Sequence, residues 1–323
     1  MPRLSATAPL GVALAWQCHS YEALLRLVRR AEALGYAAVF VDGDATQMGG
    51  AAPRNVLHGW TVTTALLAQT QRIQIGSIRL VHHWNAALLA QAASTAACLF
   101  GERFRFMISV GGHEVDRSFG LSFPAVSERV RWLDETLTAV RALWRGERLS
   151  VHGEFVSLAG AIVRPLPPAG GIPIAVAARG PALLGLVAAH AQIWDVNLPP
   201  VRARVEEAAR VLERSCHGYQ RDPTGISRSM WIYTRAGRAG TDDPALRADF
   251  RRLNPWFGEV KGTELGEGLV AGGVEHCRAR LQEIRETLRI DLPVIDLSGL
   301  PEGEAADQIE ALAPPQSSVD SGT

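Results

Sequence analysis

The sequence predicts an α/β protein built as a (β/α)8 TIM barrel with insertions: a closed ring of eight strands, each followed by a helix. Three observations lead there. Short β-branched runs alternate with segments of helical periodicity along the whole chain. The links between successive strands are long enough to hold a helix, which implies right-handed parallel crossovers. Polar and aromatic residues gather just past the carboxyl ends of the strands, where such barrels keep their active sites. A doubly wound open sheet is the competing architecture, because periodicity does not report closure.

In order, residues 11–16 (GVALAW) form a first buried strand, and Ser20 caps a helix over 21–34 that Gly35 ends. Residues 37–41 give the second strand, which runs into Asp42, Gly43 and Asp44. A Gly- and Pro-containing loop leads to a helix over 60–69. The stretch 73–114 then reads as strand, polar loop, helix, strand, polar loop. Ile73, Ile75 and Ile78 mark the third strand; Leu88, Leu89, Ala92, Ala93, Ala96, Leu99 and Phe100 recur at helical spacing; residues 104–110 are the fourth strand. A long amphipathic helix follows over 126–144.

Between 147 and 158 the rhythm breaks, and residues 149–151 and 154–157 alternate around His152-Gly153 as an inserted hairpin. Residues 172–177, 192–196, 227–234 and 292–297 supply strands five to eight, with helices over 182–190, 200–216 and 274–288. An irregular excursion, 236–270, carries Asp242-Asp243-Pro244 and the apolar Pro255, Trp256 and Phe257; it reads equally as a lid or an interface. One domain is expected over 1–313, with a Pro/Ser-rich disordered tail over 314–323.

Composition narrows the function classes. The formal net charge is zero, so no electrostatic footprint argues for nucleic acid or an anionic membrane. Of 33 basic residues only Lys261 is lysine, a coding bias rather than a phosphate-binding pattern. Cys18, Cys98, Cys216 and Cys277 are scattered without metal-ligand spacing, so neither structural zinc nor a disulfide framework is expected. The N-terminal residues lack signal-peptide character, which predicts a cytoplasmic protein.

Restricting attention to residues that follow strands leaves few candidates. Gly111 and Gly112 would let a flat ligand approach the backbone, while His113 and Glu114 offer a proton; a tight turn with a solvated Glu114 is the plain alternative. His82, His83 and Trp84 form a ring-rich loop without metal-site spacing, so no metal is expected. Asp42 serves as a base or as a cap. Ala178, Arg179, Gly180 and Pro181 make a strand-to-helix turn whose free N–H groups and guanidinium suit a phosphate. No GxGxxG follows the first strand and no GxxxxGK[ST] occurs, which argues against dinucleotide-fold and P-loop enzymes. Trp16, Trp84 and Trp256, in loops with few arginines, point to an aromatic or apolar substrate such as a secondary metabolite.

Four blocks in register, HGWTVTTALLAQTQRIQIGS (58–77), WNAALLAQAASTAACLFGERFRFMISVGG (84–112), SFGLSFPAVSERVRWLDETLTAVRALWRGE (118–147) and IAVAARGPALLGLVAAHAQIWDVN (174–197), resemble the luciferase-like monooxygenase superfamily. The resemblance implies a flavin-type barrel in which reduced coenzyme F420, a deazaflavin, or reduced FMN lies across the strand ends and acts on a small organic substrate. It implies a non-prolyl cis peptide and bulge within Gly76, Ser77, Ile78 and Arg79 behind the flavin ring. It also implies a phosphate seat at Arg179, Gly180 and Pro181, and a role for Glu114 like that of the catalytic glutamate in deazaflavin-dependent sugar-phosphate dehydrogenases. Homodimers packed through the early helices are expected, with a flavin reductase as a supplier of reduced cofactor.

Relatives often place His after the acidic residue that ends strand two, whereas Asp42 is followed here by Gly43, leaving His82, His83 or His113 to take that part. The details lean toward the deazaflavin branch. An FMN-dependent monooxygenase using O2, a non-catalytic partner subunit and a metal-dependent hydrolase remain as alternatives.

Overall fold

A computed structural model of the chain describes residues 8–15, 19–41, 43, 56–112, 119–238, 240–258 and 260–315. Eight parallel strands close into a barrel: β1 (Gly11–Leu14), β2 (Ala38–Val41), β3 (Gln74–Leu80), β4 (Phe104–Ser109), β7 (Ile174–Ala178), β8 (Ile193–Val196), β9 (Ser227–Ala236) and β11 (Leu292–Asp296). Each pairs with the next in that order, and β11 returns to β1 through Gly11 opposite Val294, which rules out the open sheet.

The outer layer consists of α1 (Tyr21–Ala33), α2 (Gly59–Ala68), α3 (Ala86–Phe100), α4 (Val126–Trp144), α5 (Pro181–His190), α6 (Arg202–Gly218), α9 (Val274–Leu288) and α10 (Glu302–Ala311). Local chemistry sets several ends. The Ser20 hydroxyl accepts from the Ala23 amide, and Asn85 Oδ1 accepts from the Ala87 and Leu88 amides. The Glu32 carboxylate accepts the amides of Gln71, Arg72 and Ile73, fixing the turn into β3.

The hairpin is β5 (Leu149–His152) and β6 (Ser157–Ala161), so its second strand starts three residues later than the alternation predicts. The Glu135 carboxylate on α4 explains the shift by claiming the amides of Glu154, Phe155 and Val156, which turns those residues into a loop. A Cβ at Gly153 would sit 2.3 Å from a Glu135 carboxylate oxygen, so a side chain there would push the carboxylate off these amides.

The excursion is more regular than expected. It folds as α7 (Pro244–Leu253), α8 (Gly262–Gly268) and β10 (Val270–Gly272), the last pairing with the carboxyl-terminal end of β9. Phe250, Leu253, Phe257, Val260, Leu265 and Leu269 of the excursion form a small core with Val201 and Tyr233 of the barrel.

Two apolar regions hold the barrel together. The larger lies between the strands and the helices, and the smaller fills the barrel's lower interior with Ala13, Ala38, Phe40, Met107, Ala175, Ile193, Leu292 and Val294. Burying each large aliphatic side chain contributes roughly 1.5–3 kcal/mol. Gly76 belongs to this interior: a Cβ there would lie 2.9 Å from Arg105 Cβ and 3.2 Å from the Phe40 ring.

The bulge expected in β3 is absent. Ile75 to Leu80 pair residue by residue with Phe104 to Ser109 without a register shift, and no cis peptide occurs at Gly76, Ser77, Ile78 or Arg79; among the described residues the cis bond is Arg164–Pro165. In this unbroken ladder Ser77 and Arg79 face outward to α2. Ser77 Oγ bonds Thr63 Oγ1 at 2.7 Å, and the Arg79 guanidinium, 1% exposed, lies 5.2 Å from the Trp60 ring centroid.

α3 also differs in phase from the apolar pattern. Leu89, Ala93 and Ala96 are buried, but Leu88 and Leu99 face outward at 61% and 69% exposure. No helix among the described residues is long and apolar enough to cross a membrane.

Candidate active site

A cavity of about 260 Å³ opens at the carboxyl ends of the strands; seven of the eight barrel strands contribute to it, and Ala15 does so just past β1. Ala15, Val41, Ile78, Ser109, Ala177, Asp195, Trp231 and Asp296 line it in strand order. Phe250, Asn254 and Phe257 from the excursion close one side, so this segment acts as part of the cavity wall. The lining is mostly apolar, with a few convergent polar groups, as small-molecule sites are.

On one flank, α5 begins at the end of β7. Gly180 is its N-cap and supplies no capping side chain, Pro181 occupies the first turn, and Arg179 lines the cavity. The orphan amides of this ten-residue helix and the Arg179 charge together suit an anion. The Arg179 guanidinium lies 5.9 Å from the Phe257 ring centroid. Ala178, by contrast, is fully buried, and its carbonyl accepts the Trp194 indole N–H at 2.9 Å and the Asn197 amide.

On another flank, Gly111 and Gly112 follow β4 and line the cavity. Gly111 has φ +75°, a conformation natural to glycine, and a Cβ there would meet His82 Cε1 at 3.0 Å. Arg129 on α4 holds this turn: its Nε donates to the Val110 carbonyl at 2.8 Å, one terminal nitrogen donates to the Gly111 carbonyl at 3.3 Å, and its guanidinium lies 3.8 Å from the Phe123 ring centroid. His113, Glu114, Asp42 and Trp16 lie outside the described residues, as does the side chain of Trp256.

Among the sequence candidates, then, Ile78, Gly111, Gly112 and Arg179 line the cavity, with Gly180 and Pro181 beside it. His82, His83 and Trp84 do not. They border a separate, more open side pocket with Trp132 and Phe155, outside the barrel. His82 is 5% exposed and packs edge-on to both His83 and Phe123, behind the Gly111 turn.

Spacing did not point to several cavity groups. Asp195 and Asp296 are each 5% exposed and project from within strands, not from the loops after them. Burial pushes the Asp195 carboxyl up to about 7, opposed by the hydrogen bond from Ser229 and the charge of Arg105. Burial raises Asp296 as well, against the Ser298 hydrogen bonds and Arg235. Nearby, Tyr233 donates to Asp249 Oδ2 at 2.7 Å, tying α7 to β9. Burial opposes ionisation of Asp249, yet the Tyr233 and Arg252 hydrogen bonds and the Arg235 charge hold it below the usual aspartate value. The one available sequence signal was an acidic residue inside an apolar run, in IWDV and VIDL. Among the described residues, no three His, Cys, Asp or Glu side chains converge as a metal site.

The sequence pattern of the luciferase-like monooxygenase family matches residues 5–290. An F420-dependent glucose-6-phosphate dehydrogenase from Rhodococcus hoagii is 32% identical over 178 residues, covering 50% of this chain and 51% of that protein. A Mycobacterium avium enzyme of the same description is 36% identical over 124 residues, 37% of each chain. The chain thus spans about half, or less, of the curated relatives it matches. Among solved structures, an F420-dependent secondary alcohol dehydrogenase with an F420-acetone adduct superimposes with a TM-score of 0.79 at 16% identity, over 95% of this chain and 99% of that one. A monooxygenase from Streptomyces bottropensis gives 0.74 at 19% identity, over 94% and 97%. At these identities the structural likeness concerns the fold, whereas the family pattern extends over most of the sequence: the chain belongs to the luciferase-like monooxygenase family.

Proposed function

We propose that this protein is an oxidoreductase that uses coenzyme F420, with FMN as the second candidate, on a small organic substrate. The observation that carries the reading is the pairing of an apolar cavity at the strand ends with an uncapped helix N-terminus and Arg179 at its rim. A flat apolar ring with an anionic tail matches both parts. The F420-dependent relatives favour the deazaflavin over FMN.

When bound, the deazaflavin supplies hydride-transfer chemistry. The chain supplies the rest. The α5 amides and Arg179 hold the phosphate, and the Gly111-Gly112 turn, pinned by Arg129, gives backbone access to one side of the cavity. Phe250 and Phe257 exclude water. Glu114 or His113, next along the chain from that turn, is assigned the proton. His83 lies in the side pocket and Asp42 remains an additional candidate. Titrating the full chain with F420 and with FMN tests the reading, and binding of neither would defeat it.

The protein is further proposed to act in the cytoplasm as a homodimer, with a reductase renewing the reduced cofactor. Leu88, Ala92 and Leu99 on α3 line an apolar groove with Trp60 and Thr64 on α2, a surface suited to a second copy.

A further inference from the structure

The cavity's polar floor discriminates between substrate classes. On β8 the inward-facing Asp195 receives the Ser229 hydroxyl proton at 2.8 Å on Oδ1. Its second oxygen has no hydrogen-bond partner among the described residues, although the residue is 5% exposed and lines the cavity. Two residues beyond Ser229 on β9, Trp231 also lines the cavity, while its indole N–H is sealed from it and has no acceptor among the described residues. The second Asp195 oxygen is not sealed in the core, so it is open to a group that enters the cavity.

The surrounding charges narrow the ligand. Arg105, two strands from Asp195, acts on it through charge alone. Arg235 is spent on the carbonyls of Thr234, Asp296 and Ser298 and on Asp249. Asp296 adds a second buried carboxyl to the lining, and Arg179, at the α5 rim, is the one basic side chain among the described lining residues. Among the described residues, an anionic substrate would face two carboxyls with no cation beyond the one assigned to the cofactor phosphate. A hydrocarbon would leave the second Asp195 oxygen unpaired.

We propose that Asp195 is a specificity-determining contact that selects a neutral substrate bearing a hydroxyl or carbonyl group at the end that enters the barrel. This rests on the proposed function, with the cavity taking the substrate's polar end as well as the deazaflavin ring, and it separates the protein from a sugar-phosphate enzyme. A protonated Asp195 donates to that oxygen, and a substrate hydroxyl can return its own proton to the carboxyl.

The test measures binding to the full chain, with and without F420, by calorimetry and saturation-transfer NMR. The probes are cyclohexanone, cyclohexanol, methylcyclohexane, cyclohexylammonium and glucose 6-phosphate. The two oxygenated rings are expected to bind at least tenfold more tightly than methylcyclohexane. Measured without F420, Asp195→Leu abolishes that preference and Asp195→Asn keeps it within threefold. The proposal is overturned if glucose 6-phosphate or cyclohexylammonium binds best, if no oxygenated probe is preferred or bound, or if the preference survives Asp195→Leu. An oxygen preference without F420 binding would instead overturn the cofactor assignment and leave the Asp195 contact standing.

Discussion

Replacing Asp195 with Asn should stabilise the protein at alkaline pH and leave it nearly unchanged in acid. The carboxyl moves from 3.8 to about 7 on folding, so between those values the native state holds a proton that the unfolded chain has released. Stability therefore falls as pH rises through that window and levels off above about 7. Three pH units at about 1.36 kcal/mol each give an upper figure of ~4 kcal/mol at pH 8, against ~1.5 kcal/mol at pH 5. Asn keeps an oxygen for the Ser229 hydroxyl and does not titrate, so the difference between variant and wild type isolates this one group. At roughly 2 °C per kcal/mol for a chain of this size, the melting temperatures should diverge by several degrees more at pH 8 than at pH 5. Thermal melts at the two pH values, supported by urea titrations, measure it. A gap independent of pH, or a variant less stable at pH 8, would show that Asp195 is ionised and held by Arg105, and would refute the reasoning.

Arg179→Ala should weaken F420 binding about tenfold or more by removing a charge-assisted contact, and the wild-type affinity should fall with added salt; unchanged calorimetric affinity would remove Arg179 from the phosphate seat. Glu32→Gln should cost about 1–2 kcal/mol in denaturant titrations at pH 7, because the amides of Gln71, Arg72 and Ile73 lose an ionised acceptor. Burial opposes ionisation of Glu32, but those three hydrogen bonds depress its pKa. Its contribution is accordingly present above the ordinary glutamate value and lost as pH drops through the lowered one. Glu114→Gln should reduce turnover while F420 affinity stays nearly intact, and an equal loss of both would count against its catalytic assignment. Light scattering should give twice the monomer mass, with a Leu88→Glu/Leu99→Glu double variant reverting to monomer; a wild-type monomer would contradict the dimer.

The barrel was legible because its signals are local. β-branched runs and 3.6-residue periodicity marked all eight strands, and the helices Val126–Trp144 and Val274–Leu288 fall where the pattern puts them. Closure was not legible, since the pairing of β11 with β1 joins residues nearly 300 positions apart. The site was harder for a related reason. Whether a strand residue faces the cavity or a helix depends on register with its neighbours, and a shift of one residue exchanges the two faces. Arg79 therefore lies against α2 while Ile78 beside it reaches the cavity. The filter for residues after strands also passed over Asp195, Ser229 and Asp296, which lie inside strands, and Arg129, which acts from a helix.

The central claim is that the α5 rim and the cavity together hold a deazaflavin. Calorimetric titration of oxidised F420 into the full chain tests it most directly. Saturable one-to-one binding, tighter than FMN and weakened by Arg179→Ala, is the predicted result. A folded protein that binds neither F420 nor FMN would contradict it.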